Sequence, residues 1–335
     1  MNVRALLVLI LAVSLLTGCG WPKDQRYTAS EAEQKFITFC QTEGSITATT
    51  RSVGKTQWIY VPLEIPLFDI KATRGEKPKR MRTPLSLLSL EIKYKTSAFS
   101  LEYDIIPDVL PPESPSYASG YNEAYTKKRQ LIYQGIQETF FNIKDPAEMP
   151  IFFVVVVADI TKGVATRSTL YLEDLRKFMT EALPPDEYYM REQNDIIGNP
   201  ELVGDKTGQY LTYQDVAWPD FLTDQMKTRI KYKFSGSTFP PKTEPDQVII
   251  GLVANTVRFY PFQDFTTIKL SNFREKRELE FSKEQLKAYE EKPLWESERG
   301  RMTVIRFDPK KGLITGNTPE EVTSNTTNTP PVAKE

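Results

Sequence analysis

Apolar residues along this chain follow a helical spacing in some segments and a strand-like alternation in the segments that come next. The first helical segment contains Phe36, Phe39 and Cys40 at positions i, i+3 and i+4, and it is predicted to end near Gly44. Two β-rich runs then flank residues 53–55, which predicts a hairpin with its turn there. The first folded unit is therefore predicted to be a helix followed by a hairpin.

The same order of helix and hairpin recurs twice farther along the chain. Residues 121–140 carry apolar side chains on one helical face, and the β-branched run at residues 151–158 is typical of a strand covered on both faces. In the third unit, a helix in "WPDFLTDQMKTRIKYKF" precedes predicted strands in "DQVIIGLVANTVRFY" and "FTTIKLSNF". Three helix-plus-hairpin units predict an α+β fold in which helices pack on antiparallel sheets.

Proline-rich and polar segments divide the chain into regions. The prolines in "PDVLPPESPSYASG" mark residues 107–120 as a linker between an N-terminal α+β sub-region, residues 28–106, and a main α+β region, residues 121–309. Residues 310–335 become rich in Thr, Asn, Pro and Glu. Such a composition buries too little apolar surface to offset the entropy of ordering, so these residues are predicted to form a disordered tail.

The first twenty residues carry a different pattern. Arg4 precedes an uncharged, almost wholly apolar run at residues 5–16, and the small residues Thr17 and Gly18 follow. This is the order of a secretory signal peptide. The run is too short for a membrane-spanning helix, which takes about 20 predominantly apolar residues. Residues 1–18 are therefore predicted to be a signal peptide for export.

The sequence "LTGC", which ends at Cys19, resembles the lipobox of bacterial lipoproteins. The resemblance implies attachment of diacylglycerol to the Cys19 sulfur, cleavage before Cys19 and usually acylation of the new amino terminus. Each buried CH₂ contributes about 0.8 kcal/mol, so two or three acyl chains hold a folded domain firmly at a bilayer. Residues 19–27 then form a spacer between lipid and body. The alternative, a signal with an incidental cysteine, leaves the export prediction unchanged.

The residue after the cysteine bears on which membrane holds the protein. In the lipoprotein family, aspartate at this position favours retention at the inner membrane. Gly20 stands there in this chain. The resemblance therefore implies anchoring to the outer membrane, with the body facing the periplasm, if the organism has two membranes.

Composition excludes several classes of function. The chain has no histidine, which removes Ser-His-Asp and Cys-His catalysis and His-ligated metals. After lipidation only Cys40 remains, so thiolate metal clusters and an intramolecular disulfide are excluded, and Cys40 is predicted to be a buried small hydrophobe. With 43 Lys and Arg against 44 Asp and Glu, the chain lacks the basic excess of a nucleic-acid-binding protein. Residues 198–208 miss the spacing of a phosphate loop. No cofactor, metal, nucleotide or nucleic acid is therefore predicted.

Carboxylates are the only plausible acid–base groups left for catalysis. Asp159 with Glu173 and Asp174 would make a pair of the kind found in glycosidases. The favoured interpretation is structural, because Glu173 and Asp174 interact with a helix dipole and Asp159 ends a strand. The aromatic runs "QWIYVPL" and "FYPFQDF" would line a sugar- or peptide-binding cleft, but their alternation favours core packing. No residue is predicted to be catalytic.

The sequence therefore predicts a non-catalytic, lipid-anchored envelope protein that binds protein partners in envelope organisation or assembly. The alternative is a periplasmic binding protein for a small molecule or glycan, and the third possibility is a histidine-free hydrolase based on carboxylates. An exposed strand edge would favour the first, a deep aromatic-walled pocket the second, and converging buried carboxylates the third.

The lipid anchor gives a direct prediction. Replacing Cys19 with Ser removes the thioether acceptor, so the Cys19→Ser protein is expected to lose acyl labelling and to leave the membrane fraction. Cys40→Ala, which changes the other cysteine, is the control and is expected to keep both properties. Acyl label and membrane association retained by Cys19→Ser would contradict the prediction.

Overall fold

The computed structural model describes residues 26–72, 83–109, 117–236, 239, 242–290, 304–308 and 312–316. The predicted α+β class is confirmed. The helices are α1 (Ala29–Gly44), α2 (Glu123–Phe140), α3 (Leu172–Met179), α4 (Pro185–Arg191), α5 (Trp218–Gly236), α6 (Pro245–Arg258) and α7 (Lys283–Leu286), with 3₁₀ turns at Pro200–Leu202 and Lys287–Tyr289. The strands are β1 (Thr49–Val53), β2 (Thr56–Leu63), β3 (Phe68–Ala72), β4 (Thr83–Lys95), β5 (Ala98–Val109), β6 (Tyr117–Tyr121), β7 (Phe152–Asp159), β8 (Val164–Tyr171), β9 (Gln193–Gly198), β10 (Thr267–Asn272), β11 (Arg277–Ser282), β12 (Val304–Asp308) and β13 (Gly312–Gly316).

Tyr27, which lies inside the predicted spacer, is bonded to the folded body. The Tyr27 amide donates to the Asn142 carbonyl at 2.8 Å, and the Tyr27 carbonyl accepts from the Lys144 amide at 2.8 Å. Helix α1 follows at once, with a capping box formed by Thr28 and Glu31. The chain is therefore fixed to the body eight residues after Cys19.

Two helix-plus-hairpin units share one five-stranded sheet with the order β1-β2-β7-β8-β9. The hairpins β1–β2 and β7–β8 are antiparallel, as predicted. They are joined by a parallel pairing of β2 with β7, from Thr56 opposite Phe152 to Leu63 opposite Asp159. Strand β7 is buried along its whole length, as expected for the central strand of a sheet covered on both faces.

Each face of the five-stranded sheet has its own cover. Helices α1 and α2 pack on one face, where Phe36 and Phe140 lie 5.8 Å apart and Phe140 contacts Phe153 edge to face. Residues 199–217 cover the other face over Trp58 and its neighbours. The sheet is therefore the central layer of this half of the fold.

A second sheet has the order β11-β10-β5-β4, with β5 and β10 parallel and the other pairs antiparallel. Its core also includes α5 and α6. Two-stranded sheets form from β3 with β6 and from β12 with β13. None of the helices within the described ranges is both long and apolar enough to cross a membrane.

Residues 245–258 form helix α6, so the strand predicted in "DQVIIGLVANTVRFY" is wrong. Pro245 stands in the first turn, where proline is tolerated. The buried side chains Ile249, Ile250, Val253 and Val257 recur at helical spacing and face a single core. The third unit is therefore two helices followed by the β10–β11 hairpin.

Both larger sheets combine strands from either side of the predicted linker at residues 107–120. Strand β2 pairs with β7, and β5 pairs with β10. Residues 107–109 belong to β5 and residues 117–120 to β6, and residues 110–116 lie outside the described residues. At the C-terminus, residues 312–316 of the predicted tail form β13, and the rest of the tail lies outside the described residues.

A buried ionic network lies between the cores of the two larger sheets at Arg191, the last residue of α4. The Arg191 side chain is 2 % exposed and donates to Asp174 of α3 and to Glu187 of its own helix, both at 2.7 Å. Arg229 of α5 donates to the same Glu187 oxygen at 2.6 Å. The Arg191 guanidinium also lies over the Phe259 ring, 4.0 Å from its centroid. One side chain thus contacts both α3, which packs in the core of the five-stranded sheet, and Phe259, which packs in the core of the second sheet.

The next residue extends the network to α2. The Glu192 carboxylate accepts hydrogen bonds from Arg129 and Tyr133, and its side chain is fully buried. Burial raises the pKa of Asp174, although the charge of Arg191 opposes this. Burial also favours protonation of Glu187, but Arg229 and Arg191 outweigh it and lower the pKa of that carboxyl. These carboxylates therefore depend on their arginine partners.

Replacement of Arg191 by Met is expected to destabilise the fold by about 3–5 kcal/mol, because Asp174 would remain buried without its partner. Arg176→Met is the matched control. Arg176 pairs with Glu173 at the surface, where an ion pair contributes no more than about 1 kcal/mol. Urea denaturation of both variants measures the difference, and equal losses would contradict the prediction.

Candidate functional site

Strand β9 lies at one edge of the five-stranded sheet and pairs with β8 alone. Just beyond it, the Asn199 amide donates to the Gly163 carbonyl at 2.8 Å. Hydrogen-bonded and non-hydrogen-bonded pairs alternate along an antiparallel ladder. The main-chain groups of Asn194, Ile196 and Gly198 therefore point away from β8, toward the outside of the sheet.

These outward-facing groups, which we call the β9 edge, are open to solvent. Asn194, Ile196 and Gly198 are all exposed, and no hydrogen bond joins their main-chain N–H groups to the rest of the described chain. The Ile196 side chain is unusual for an edge strand, since it is aliphatic and the residue is 66 % exposed. Asp195 is the single charged residue of β9. The β9 edge therefore has the features of a surface that accepts a further strand.

The other edges of the two larger sheets carry features that hinder pairing. The Thr49 hydroxyl of β1 donates to the Thr207 carbonyl at 3.3 Å, and Arg51 lies over the Tyr213 ring. Strand β4 carries a register shift between Leu87 and Ser89 and packs against α5. Along strand β11, the exposed carboxylates of Glu278 and Glu280 in "RELEF" alternate with less exposed residues. Bulges and charges of this kind block edge pairing.

A groove of about 250 Å³ lies beside β9, on the sheet face covered by residues 199–217. Cross-strand pairs place Trp58, Val154, Thr169 and Gln193 in one row along its floor. The first turns of α5 form one wall. Its charged and polar lining includes Arg167, Thr169, Gln193, Asp215, Asp220 and Asp224.

Acidic side chains dominate the part of the groove nearest β9. The pKa of Asp224 is raised by partial desolvation and by the charges of Asp195 and Asp220, and Lys227 opposes this. Arg167 donates to Asp195 at 2.6 Å, and Lys227 lies 3.7 Å from Asp224. Three carboxylates thus face two cations here, which leaves the rim with a negative charge.

The segment that covers the sheet beside the groove is held by hydrogen bonds to main-chain carbonyls. The Trp58 indole donates to Gln214 at 2.8 Å, and the Tyr60 hydroxyl donates to Asp205 at 2.7 Å. Gly208 has φ of +75°, and a Cβ there would lie 2.6 Å from the Tyr213 hydroxyl. This part of the sheet's cover is therefore fixed in one arrangement.

Asp205 organises the turn in this segment. Its carboxylate accepts from the Thr207 and Gly208 amides, both at 2.9 Å. Burial opposes ionisation of Asp205, but these amides and that of Tyr210 outweigh it and lower the pKa. Asp205 is the residue that breaks the phosphate-loop spacing of residues 198–208, and here it has a structural role.

The carboxylates considered for catalysis do not converge. Asp159 ends β7, whereas Glu173 and Asp174 follow β8 at the opposite end of the same hairpin. Seven residue steps of strand separate the two ends by roughly 23 Å, against the 5–9.5 Å spacing of glycosidase carboxylates. Asp159 accepts from Thr161 in the turn, and Asp174 pairs with Arg191. The pairing considered from sequence is therefore wrong.

The predicted core residues behave as expected. Cys40 is fully buried, and desolvation raises its pKa to about 12. In "QWIYVPL", Trp58 and Tyr60 are buried in the sheet. No cluster of three or more acidic or cysteine side chains in the described part of the chain is placed to hold a metal ion. Cys19 and Gly20 lie outside the described residues.

Sequence reasoning missed the β9 edge. Residues 193–198 stand within "DEYYMREQNDIIG", a stretch whose sequence favours a short helix throughout, whereas the helix ends at Arg191 and the strand begins two residues later. The paired isoleucines before Gly198 were a signal for a strand. The chain matches no family model, and no curated protein or solved structure shows significant similarity to it.

The role of Asp205 can be tested by Asp205→Asn. The substitution removes the charge that strengthens the amide hydrogen bonds, so it is expected to destabilise the protein by roughly 1–2 kcal/mol at pH 7. Because the folded-state pKa is lowered, this stabilisation is present above the unfolded pKa and is lost as the pH falls below about 4. Urea denaturation at several pH values measures it.

Glu201→Gln is the control for Asp205→Asn, since Glu201 is exposed in the same segment. Its effect is expected to stay within about 0.5 kcal/mol at every pH. A penalty for Asp205→Asn that stays constant down to pH 3 would contradict the assignment.

Proposed function

We propose that this protein is a lipid-anchored envelope protein that binds a partner protein by accepting a strand of the partner at the β9 edge. The observation that carries the proposal is the set of open main-chain groups at Asn194, Ile196 and Gly198. Main-chain hydrogen bonds supply affinity in this mode of binding, and alternate side chains supply specificity. No catalytic step is part of the proposal.

The surroundings of the edge support this assignment. The buried network beside Arg191 holds the residue before β9, since Glu192 accepts from Arg129 and Tyr133. At its other end, Asn199 is bonded to Gly163. An edge held at both ends loses little conformational entropy when another strand is added. Preorganisation of this kind favours binding.

The structure offers less support for the rival functions. Within the described residues, the groove beside β9 is open and mostly polar rather than deep and aromatic-walled. The buried carboxylates Asp174 and Glu192 and the partly buried Glu187 are each bonded to arginine. Neither arrangement favours capture of a glycan or carboxylate-based hydrolysis.

The lipid anchor would place this edge close to a membrane. Tyr27 is bonded to the body, and the eight residue steps from Cys19 to Tyr27 span at most about 29 Å. A partner would therefore be met near the lipid surface. We propose the outer membrane as that surface, facing the periplasm, if the organism has one.

Ile196→Pro is expected to abolish partner binding while the protein stays folded. The Ile196 amide points away from β8, so proline there removes no hydrogen bond of the sheet but blocks an added strand. Ile196→Lys is expected to act in the same direction, because lysine protects natural edges. Cross-linking in the native envelope followed by mass spectrometry measures partner recovery, with a loss of at least about tenfold expected.

Val203→Lys is the matched control, because Val203 is 55 % exposed and lies outside the β9 edge. It is expected to leave recovery of the partner unchanged. A photoreactive residue at position 196 should give an adduct with an extended segment of the partner, and the same residue at position 203 should not. Undiminished recovery with Ile196→Pro would overturn the proposed function.

A further inference from the structure

The two faces of β9 present different chemistry to an added strand. Side chains alternate along β9, so Gln193, Asp195 and Ile197 share the groove face, and Asn194 and Ile196 share the other. An added strand alternates in the same way. Its residues must therefore meet the groove on one face and Ile196 on the other.

The groove face carries more negative than positive charge. Asp195 and Asp224 each have a cationic neighbour, Arg167 and Lys227. Asp220 makes no ion pair within the described part of the chain, and it contributes to the raised pKa of Asp224. A cationic side chain on the added strand would relieve this repulsion, whereas an anionic one would increase it.

The opposite face favours an apolar neighbour. Ile196 is exposed beside Thr166 of β8, and the Thr166 hydroxyl is bonded to Tyr125 of α2 at 2.9 Å. An aliphatic or aromatic side chain on the added strand would cover the isoleucine. The polar groups around it keep their own partners.

We propose that the strand received at the β9 edge is a basic segment of a partner protein, in which Lys or Arg faces the acidic groove and alternates with apolar residues that face Ile196. This inference rests on the proposed function and names the chemical class of its partner. The groove gives the preference for positive charge, and the open main-chain groups give the extended conformation.

Synthetic nine-residue peptides test this inference on the protein purified from membranes. In three peptides, valine alternates with Lys, with Gln or with Glu, and fluorescence anisotropy measures their dissociation constants. The Lys peptide is expected to bind about tenfold more tightly than the Gln peptide, and the Glu peptide more weakly than both. The preference is expected to shrink at high salt, because these charges are exposed.

A double variant, Asp220→Asn with Asp224→Asn, locates the preference. It is expected to remove most of the advantage of the Lys peptide and to leave the affinity for the Gln peptide unchanged. The matched control is Glu278→Gln with Glu280→Gln, which removes the same charge from β11 in the other sheet. An equal effect of both double variants would overturn the inference.

The outcomes separate this inference from the proposed function. If all three peptides bind equally and Ile196→Pro abolishes their binding, the β9 edge accepts strands but the preference for basic segments is wrong. If none of the peptides binds, the inference is overturned, and cross-linking at position 196 in the native envelope decides the proposed function on its own.

Discussion

The packing of this protein depends on the ion pairs that the buried guanidinium of Arg191 makes with Asp174 and Glu187. A charge in the interior is tolerated only when its partners replace the water it has lost. Asp174 and Glu187 provide that replacement for Arg191, and Arg229 of α5 donates to Glu187 as well. Because Asp174, Arg191 and Arg229 lie on three different helices, the ion pairs specify how these helices meet, where apolar contacts alone would permit sliding.

The network also determines where β9 lies. Helix α4 ends at Arg191, and Glu192 is already bonded to α2 when the strand begins. The edge therefore begins directly after this buried ionic network. A strand held in this way can keep its outer hydrogen-bonding groups exposed without depending on a partner for its own structure.

Local features were predictable from the sequence, and non-local ones were not. The helix before Gly44 and the turn at residues 53–55 follow from spacing and turn chemistry within a few residues. A strand was wrongly predicted at residues 245–258, which form a helix, because a short apolar, β-branched run fits a buried strand as well as a buried helix. The β9 edge depends on which strand ends the sheet. No pattern within a single segment encodes that order.

The parallel pairing of β2 with β7 means that the five-stranded sheet forms late in folding. The two strands are separated by roughly 90 residues, so their contact closes a long loop, and such topologies form slowly. During synthesis, β2 has no neighbour on that side until β7 emerges. A chain stopped before residue 152 would carry a second exposed apolar edge. The five-stranded sheet is therefore completed late, only after most of the N-terminal half of the chain has been made.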